Sequence, residues 1–283
     1  DIEFEEVGNY TDRLNLGWEI DQIIEKAVEL DLYIHFNMLV HYAFENKSEG
    51  VRYNWDWGDE FIPYKYPNSE GSYAYKDRFG IGNNLPEQWL SNDGCKKYYK
   101  QKIRYLISRY GYSPHIALFE LISEAHNIGR RFEDVYSTPT PGVGDAPSMN
   151  LTYDPYQQDP NHRLNVAKWH DEMAKYIKTD LKHTEHLLTV SLGKVQPPDY
   201  SYAIPEIDIL TFNRYSELIG EKYQAYVNEV KSITSQYNKP LLMSETGPTS
   251  ESACDNGITY KKEAWTTAFT GVAGFNMWDG QNS

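Results

Sequence analysis

The sequence predicts an α/β fold, a (β/α)8 barrel of which this chain covers strands three to eight. Three observations carry that prediction. Apolar runs of strand length alternate with stretches of helical periodicity, which implies right-handed βαβ units and a parallel sheet. Two of the strand-like runs end by delivering a glutamate into a Gly-, Pro- or Asn-bearing loop. The two longest interruptions both follow the C-terminal ends of strands, the face on which such barrels build their sites.

In chain order, Ile20, Ile23, Ile24, Ala27 and Val28 recur at helical spacing and predict an amphipathic helix over Trp18–Leu30, with a buried strand over Leu32–His41. Tyr99, Ile103, Leu106, Ile107 and Tyr110 mark a second helix that stops before Gly111, as a C′ glycine predicts, and Ile116–Ile122 is the next strand. Val166, Trp169, Met173 and Ile177 mark a third helix. Strands His186–Leu192 and Ile207–Phe212 follow, then a helix carrying Tyr223, Val227, Val230 and Ile233. Leu241–Ser244 is a strand, Tyr260–Thr270 a helix and Val272–Trp278 a final strand. That makes six strands where a closed barrel needs eight. Residues 1–17 read as polar and turn-like, so the chain is expected to lack the first two strands and the last helix, with other segments of a longer polypeptide as partners.

The 283 residues are otherwise expected to form one catalytic domain, 1–283, with long active-site loops at 42–94 and 127–163. Net charge is −14, so neither nucleic acid nor an anionic membrane is expected as a partner. No apolar run approaches the length of a membrane span. Cys95 and Cys254 are too few for a disulfide framework, and no His, Cys or Asp spacing suits a metal, so neither metal nor cofactor is expected. The first residue is not Met, so the chain reads as a mature or excised segment, from which an export signal could have been removed. Asn9, Asn46 and Asn150 each open a short N-glycosylation pattern that chance also produces. Aromatic residues make up 14% of the chain; their faces suit sugar rings, although most aromatics serve cores.

The two glutamates are Glu124, after Ile116-Ala-Leu-Phe-Glu-Leu-Ile-Ser, and Glu245, after Pro240-Leu-Leu-Met-Ser. Carboxylates are costly at the ends of buried strands. A pair facing one cleft is what glycosidic-bond hydrolysis requires, one as acid/base and one as nucleophile or base. The bland alternative is two unrelated, solvated loop glutamates.

The run Arg104–Glu124 resembles the strand-four region of clan A glycoside hydrolases, the retaining (β/α)8 enzymes that include the cellulase and mannanase families, and family 5 among them. The resemblance implies that Glu124 is the acid/base. Lys239-Pro-Leu-Leu-Met-Ser-Glu-Thr-Gly247 resembles strand seven, which makes Glu245 the nucleophile. Phe275-Asn-Met-Trp-Asp279 resembles strand eight, with Trp278 as the floor of a sugar subsite. Phe212-Asn-Arg-Tyr215 resembles the His-x-Tyr of strand six, with Tyr215 placed to hold Glu245 by a hydrogen bond. Two positions depart from the family. Ser123 stands where an Asn binds the sugar 2-hydroxyl, and Asn213 replaces a His, keeping hydrogen-bonding capacity without titrating.

For the implied mechanism Glu245 must be ionised, while Glu124 must keep its proton near neutral pH, by burial and by the neighbouring charge. Glu120 shares a strand face with Glu124 and reads either as a second site carboxylate or as a structural one lower in the barrel. His41 and His126 read equally as sugar-hydroxyl contacts or loop histidines. Trp55 and Trp57 read as a sugar platform or a local hydrophobic anchor. His162, His170, His183 and His186 read as structural. Ser244 lacks a nucleophile-elbow context.

The implied function is a retaining β-glycoside hydrolase acting on a polysaccharide or oligosaccharide, secreted, periplasmic or on the cell surface. A catalytically silent carbohydrate-binding barrel and a transglycosylase are the alternatives.

Overall fold

The computed structural model describes residues 6–11, 14–41, 47–48, 51–52, 74–81, 86–129, 131–135, 148–192, 200–215, 221–247 and 258–277. The chain begins with α1 (Leu14–Glu29), β1 (Ile34–Asn37), β2 (Lys47–Ser48), β3 (Val51–Arg52), α2 (Ala74–Phe79), α3 (Asp93–Tyr110) and β4 (Ile116–Glu120). It continues through β5 (Arg131–Val135), β6 (Ser148–Tyr153), α4 (Pro155–Gln158), α5 (Pro160–Lys175) and β7 (Leu187–Leu192). The last elements are β8 (Ile209–Tyr215), α6 (Glu221–Tyr237), β9 (Leu241–Gly247), α7 (Ile258–Thr270) and β10 (Phe275–Met277).

These elements form two compact units. One comprises residues 1–34, 39–115 and 125–169, the other 35–38, 116–124 and 170–283.

The second unit holds a six-stranded sheet in the order β1-β4-β7-β8-β9-β10, the order of the chain itself. From β4 to β10 every neighbouring pair is parallel. β1 flanks β4, where Met38 N donates to Glu120 O over 2.8 Å. Parallel strands wound in sequence are the α/β barrel architecture that the alternation predicts, here as an open six-strand portion. Both faces of β7 are buried, Leu188, Val190 and Leu192 on one and Thr189 and Ser191 on the other, as suits a strand inside a parallel sheet. On β8 and the helices behind it, Tyr226 of α6 stacks on Phe212 and its hydroxyl meets Thr267 of α7 at 3.0 Å.

The parallel register is regular from Leu118↔Leu187 to Leu192↔Phe212. It slips between β8 and β9, and again between β9 and β10. Phe212 faces Met243 but Asn213 faces Glu245, so Ser244 is an extra residue on β9. Such a bulge bends a strand end and re-aims its side chains.

The first unit contains a four-stranded antiparallel sheet, β2-β3-β5-β6, built from both long insertions. Its core is aromatic. Trp89 lies 5.3 Å from Tyr99 and 5.2 Å from Trp169, and edge-on to Tyr75. α3 starts at Asn92, whose Oδ1 accepts from Cys95 N over 3.1 Å.

Several element bounds differ from the sequence expectation. The first helix opens at Leu14, inside the segment read as turn-like. Its buried stripe is Gly17, Ile24 and Ala27, while Ile23 and Val28 are exposed, a narrower face than the periodicity predicts. The strand expected over Leu32–His41 is confined to Ile34–Asn37. Gly111 ends α3 at φ −67°, a conformation open to any residue, so its glycine freedom is not what stops the helix. β8 and β9 run three residues beyond their predicted ends, because they keep pairing with each other from Asn213↔Glu245 to Tyr215↔Gly247. No α-helix joins β7 to β8 among the described residues. The turns at 200–208 fill that place, anchored by the buried Tyr202 hydroxyl donating to Thr211 O over 2.6 Å.

Candidate active site

β4 closes at Glu120, and the chain leaves it through buried Leu121, Ile122 and Ser123 before reaching Glu124. Glu124 adopts φ 54°, the left-handed region that non-glycine residues seldom occupy. Its backbone N–H donates to Ser191 Oγ on β7 over 3.0 Å, and the same hydroxyl lies 3.4 Å from Ser123 Oγ. The turn that aims Glu124 is thus tied to the neighbouring strand.

The carboxyl end of Glu124 is held from the next strand over. Asn213 Nδ2 on β8 donates to Glu124 Oε1 over 3.0 Å. Asn213 is itself held by Ser244, whose Oγ donates to Asn213 Oδ1 over 2.6 Å and also lies 3.2 Å from Phe212 O. The slip in register that makes Ser244 the extra residue also puts Glu245 directly opposite Asn213. Both glutamates therefore sit at the C-terminal edge of one parallel sheet, each next to Asn213. Both are partly exposed, whereas Ser123, Ser191, Asn213 and Ser244 beneath them are buried.

This constellation offers two carboxylates on a buried, hydrogen-bonded polar floor. One Glu124 carboxyl oxygen thus has a fixed hydrogen-bond donor. A carboxylate held this way accepts and returns a proton without moving far, which suits general acid/base work.

Other candidates are placed as follows. Glu120 is buried with its Oε2 2.9 Å from His35 Nε2, which fits the structural reading of that carboxylate. Tyr215 pairs with Gly247 at the end of β8, and its side chain lies outside the described residues, as do Trp55, Trp57 and Trp278. His41 is buried in the first unit. So is His126, with Tyr156 edge-on at 5.7 Å.

His183 and His186 stack at 4.9 Å, with His183 Nε2 2.8 Å from His186 Nδ1. Burial, then His186, holds the His183 pKa below its ordinary value. Burial lowers His162 to about 4 and raises the Cys95 thiol to about 12, so at neutral pH both are neutral interior groups. No group of three or more potential metal ligands occurs among the described residues. Among the same residues, no helix is long and apolar enough to cross a membrane.

Sequence reasoning overlooked Ser191 and judged Ser244 only as a nucleophile. The available signal was a hydroxyl near the C-terminal end of an otherwise apolar parallel strand, where a polar group needs a buried partner.

No family model matches the chain. Over 212 residues it is 25% identical to the probable mannan endo-1,4-β-mannosidase F of Neosartorya fischeri, covering 74% of this chain and 42% of that protein. The chain spans less than half the length of the curated relatives it matches. The endo-1,4-β-mannanase of Thermotoga petrophila superposes with a TM-score of 0.59 at 17% identity, over 93% of this chain and 70% of the other. The family 5 mannosidase of Rhizomucor miehei gives 0.55 at 15% identity, over 96% and 66%. The resemblance to clan A glycoside hydrolases read from the sequence is thus matched by fold, and by distant sequence similarity to mannan endo-1,4-β-mannosidases.

Proposed function

We propose that this mannanase-like chain is part of a retaining endo-acting β-mannosidase that cleaves β-1,4-linked mannan. The observation that carries the reading is Asn213, hydrogen-bonded to Glu124 and in register with Glu245, which gathers the two glutamates at one sheet edge. The mannan specificity is supported by the activity named for the relatives.

In the first step, a Glu245 oxygen attacks the anomeric carbon. The bond from that carbon to the leaving oxygen breaks, and the Glu124 proton passes to that oxygen. In the second step Glu124 takes a proton from water, whose oxygen displaces Glu245 with net retention. Attack and protonation at one centre require the carboxyl groups to be about 5–5.5 Å apart. Tyr215 orients Glu245. Trp278 offers a stacking face to a sugar ring, and Ser123 and Asn213 contribute polar contacts. A polymeric substrate implies action outside the cytoplasm.

The test is a panel of β-mannan, galactomannan, glucomannan and β-glucans incubated with the full-length polypeptide, with products sized and their first-formed anomer determined. Release of β-configured manno-oligosaccharides, lost in Glu245→Gln, is the expected result. Mannan binding without cleavage would overturn the enzymatic reading in favour of a silent barrel. Elongation of an added acceptor in preference to hydrolysis would reassign it as a transglycosylase.

A further inference from the structure

We propose that Ser244 and Ser191 are positioning residues for Glu124, one setting its carboxyl group through Asn213 and the other setting its backbone. The inference rests on the reading of Glu124 as acid/base and adds two residues that need not touch the sugar.

The case for Ser244 begins with the count of hydrogens. A serine hydroxyl has one to donate. Ser244 Oγ has two acceptors in reach, Asn213 Oδ1 at 2.6 Å and Phe212 O at 3.2 Å. When it donates to Asn213 Oδ1, the amide is fixed with its NH2 toward Glu124 Oε1, the arrangement that an ionised carboxylate requires. When the hydroxyl turns to Phe212 O, Asn213 Oδ1 is released, and a flipped amide can accept from a protonated Glu124. One buried hydroxyl thereby lets a non-titrating amide serve both protonation states. An acid/base needs both, because its proton leaves in the first step and returns in the second. The nearby carboxylates on the adjoining strands are Glu120, paired with His35, and Glu245 opposite Asn213. Neither supplies a donor when ionised, whereas the Asn213 amide can match either state of Glu124.

Ser191 acts on the other end of the residue. At φ 54° the Glu124 backbone sits in a conformation that its side chain disfavours, and the N–H bond to Ser191 Oγ, from a strand buried on both faces, holds it there. The slipped register at Phe212/Asn213 is what makes the arrangement possible. Without the extra residue, Ser244 would pair as an ordinary strand residue and Glu245 would move one place along the sheet.

The experiment pairs pH–rate profiles on an aryl β-mannobioside with a carbon-13 NMR titration of the Glu124 carboxyl in the full-length polypeptide. Ser244→Ala is expected to move the basic limb and the NMR midpoint upward together by roughly one pH unit, the effect of weakening one hydrogen bond to a charged group. Ser244→Thr keeps the hydroxyl and is expected to restore both. Ser191→Ala is expected to lower kcat about tenfold with KM unchanged, because the carboxyl is displaced while the sugar contacts stay. An active Ser244→Ala enzyme whose limb and midpoint match the unsubstituted protein overturns the role of Ser244. Full kcat in Ser191→Ala overturns that of Ser191. An NMR midpoint that moves in a protein with no turnover on any glycoside supports the positioning role and overturns the enzymatic reading, so the two failures are distinct.

Discussion

Asn213 donates its side-chain N–H to Glu124 over 3.0 Å from a position directly opposite Glu245. A neutral amide thus stands between two carboxylates that arrive from strands β4 and β9, with β8 between them. This contact makes the site sensitive to the charge at residue 213.

Asn213→Asp replaces the donor with a third carboxylate facing Glu124. Like charges at hydrogen-bond distance cannot all ionise. The expected outcome is a loss of about 1.5–3 kcal/mol of transition-state stabilisation, one charge-assisted hydrogen bond, read as a 10- to 100-fold drop in kcat/KM. Asn213→Ala is expected to cost less, because it removes the donor without adding charge. Steady-state kinetics on a manno-oligosaccharide checks the order of the two.

The glutamates are expected to fail differently. Glu245→Gln abolishes turnover of every substrate, since no glycosyl-enzyme forms without the nucleophile. Glu124→Ala keeps the first step on substrates with good leaving groups, and the intermediate then accumulates because no base activates water. Azide needs no base, so it is expected to restore turnover and give a glycosyl azide of retained configuration. Intact-protein mass spectrometry and product NMR read both outcomes. Full activity of Glu124→Ala on polymeric substrate would rule out the assignment.

Stability is expected to fall with pH through the buried His162. Burial depresses its folded pKa to about 4 from an ordinary value of 6.5, and its Nε2 has no hydrogen-bond partner among the described residues. The unfolded chain therefore binds the proton more readily between these two values. The histidine's stabilising contribution is complete above about pH 6.5 and is lost as pH falls toward about 4, up to roughly 3 kcal/mol. Urea unfolding at a series of pH values measures the slope, and His162→Leu is expected to flatten it over this window.

The aromatic core of the first unit predicts a larger and pH-independent effect. Trp169 is buried against both Trp89 and Tyr99, at 5.2 and 5.0 Å between ring centroids. Trp169→Ala empties that volume and is expected to cost about 3–5 kcal/mol. A denaturation midpoint unchanged from the unsubstituted protein would show that the cluster contributes little.

Much of the barrel portion was legible from local pattern alone. The helices carrying Leu106 and Tyr110, Val166 and Trp169, or Val230 and Ile233 announce themselves through apolar spacing, and all six of these side chains are buried. The six strands follow because apolar runs between such helices have nowhere to go but a parallel sheet. Periodicity is a property of adjacent residues, so it survives in a single sequence. The composition was less informative. The share of aromatics could not separate sugar platforms from core, since an aromatic ring reads the same in either role; Trp89, Trp169, Tyr75 and Tyr99 fill a core.

What the tertiary structure alone decided is pairing at a distance. Nothing within the two long insertions indicates that β2 and β3 from one would join β5 and β6 from the other in a separate antiparallel sheet. The same holds at the site. The sequence located Glu124, Asn213 and Glu245 at strand ends, and Ser191 passed unnoticed within an otherwise apolar strand. Only the packed sheet brings Ser191 to the Glu124 backbone, and only a one-residue slip between β8 and β9 sets Ser244 on Asn213 and Glu245 opposite it. Register depends on the whole face of two strands meeting, a sum over contacts far apart in the chain, and no local spacing encodes it.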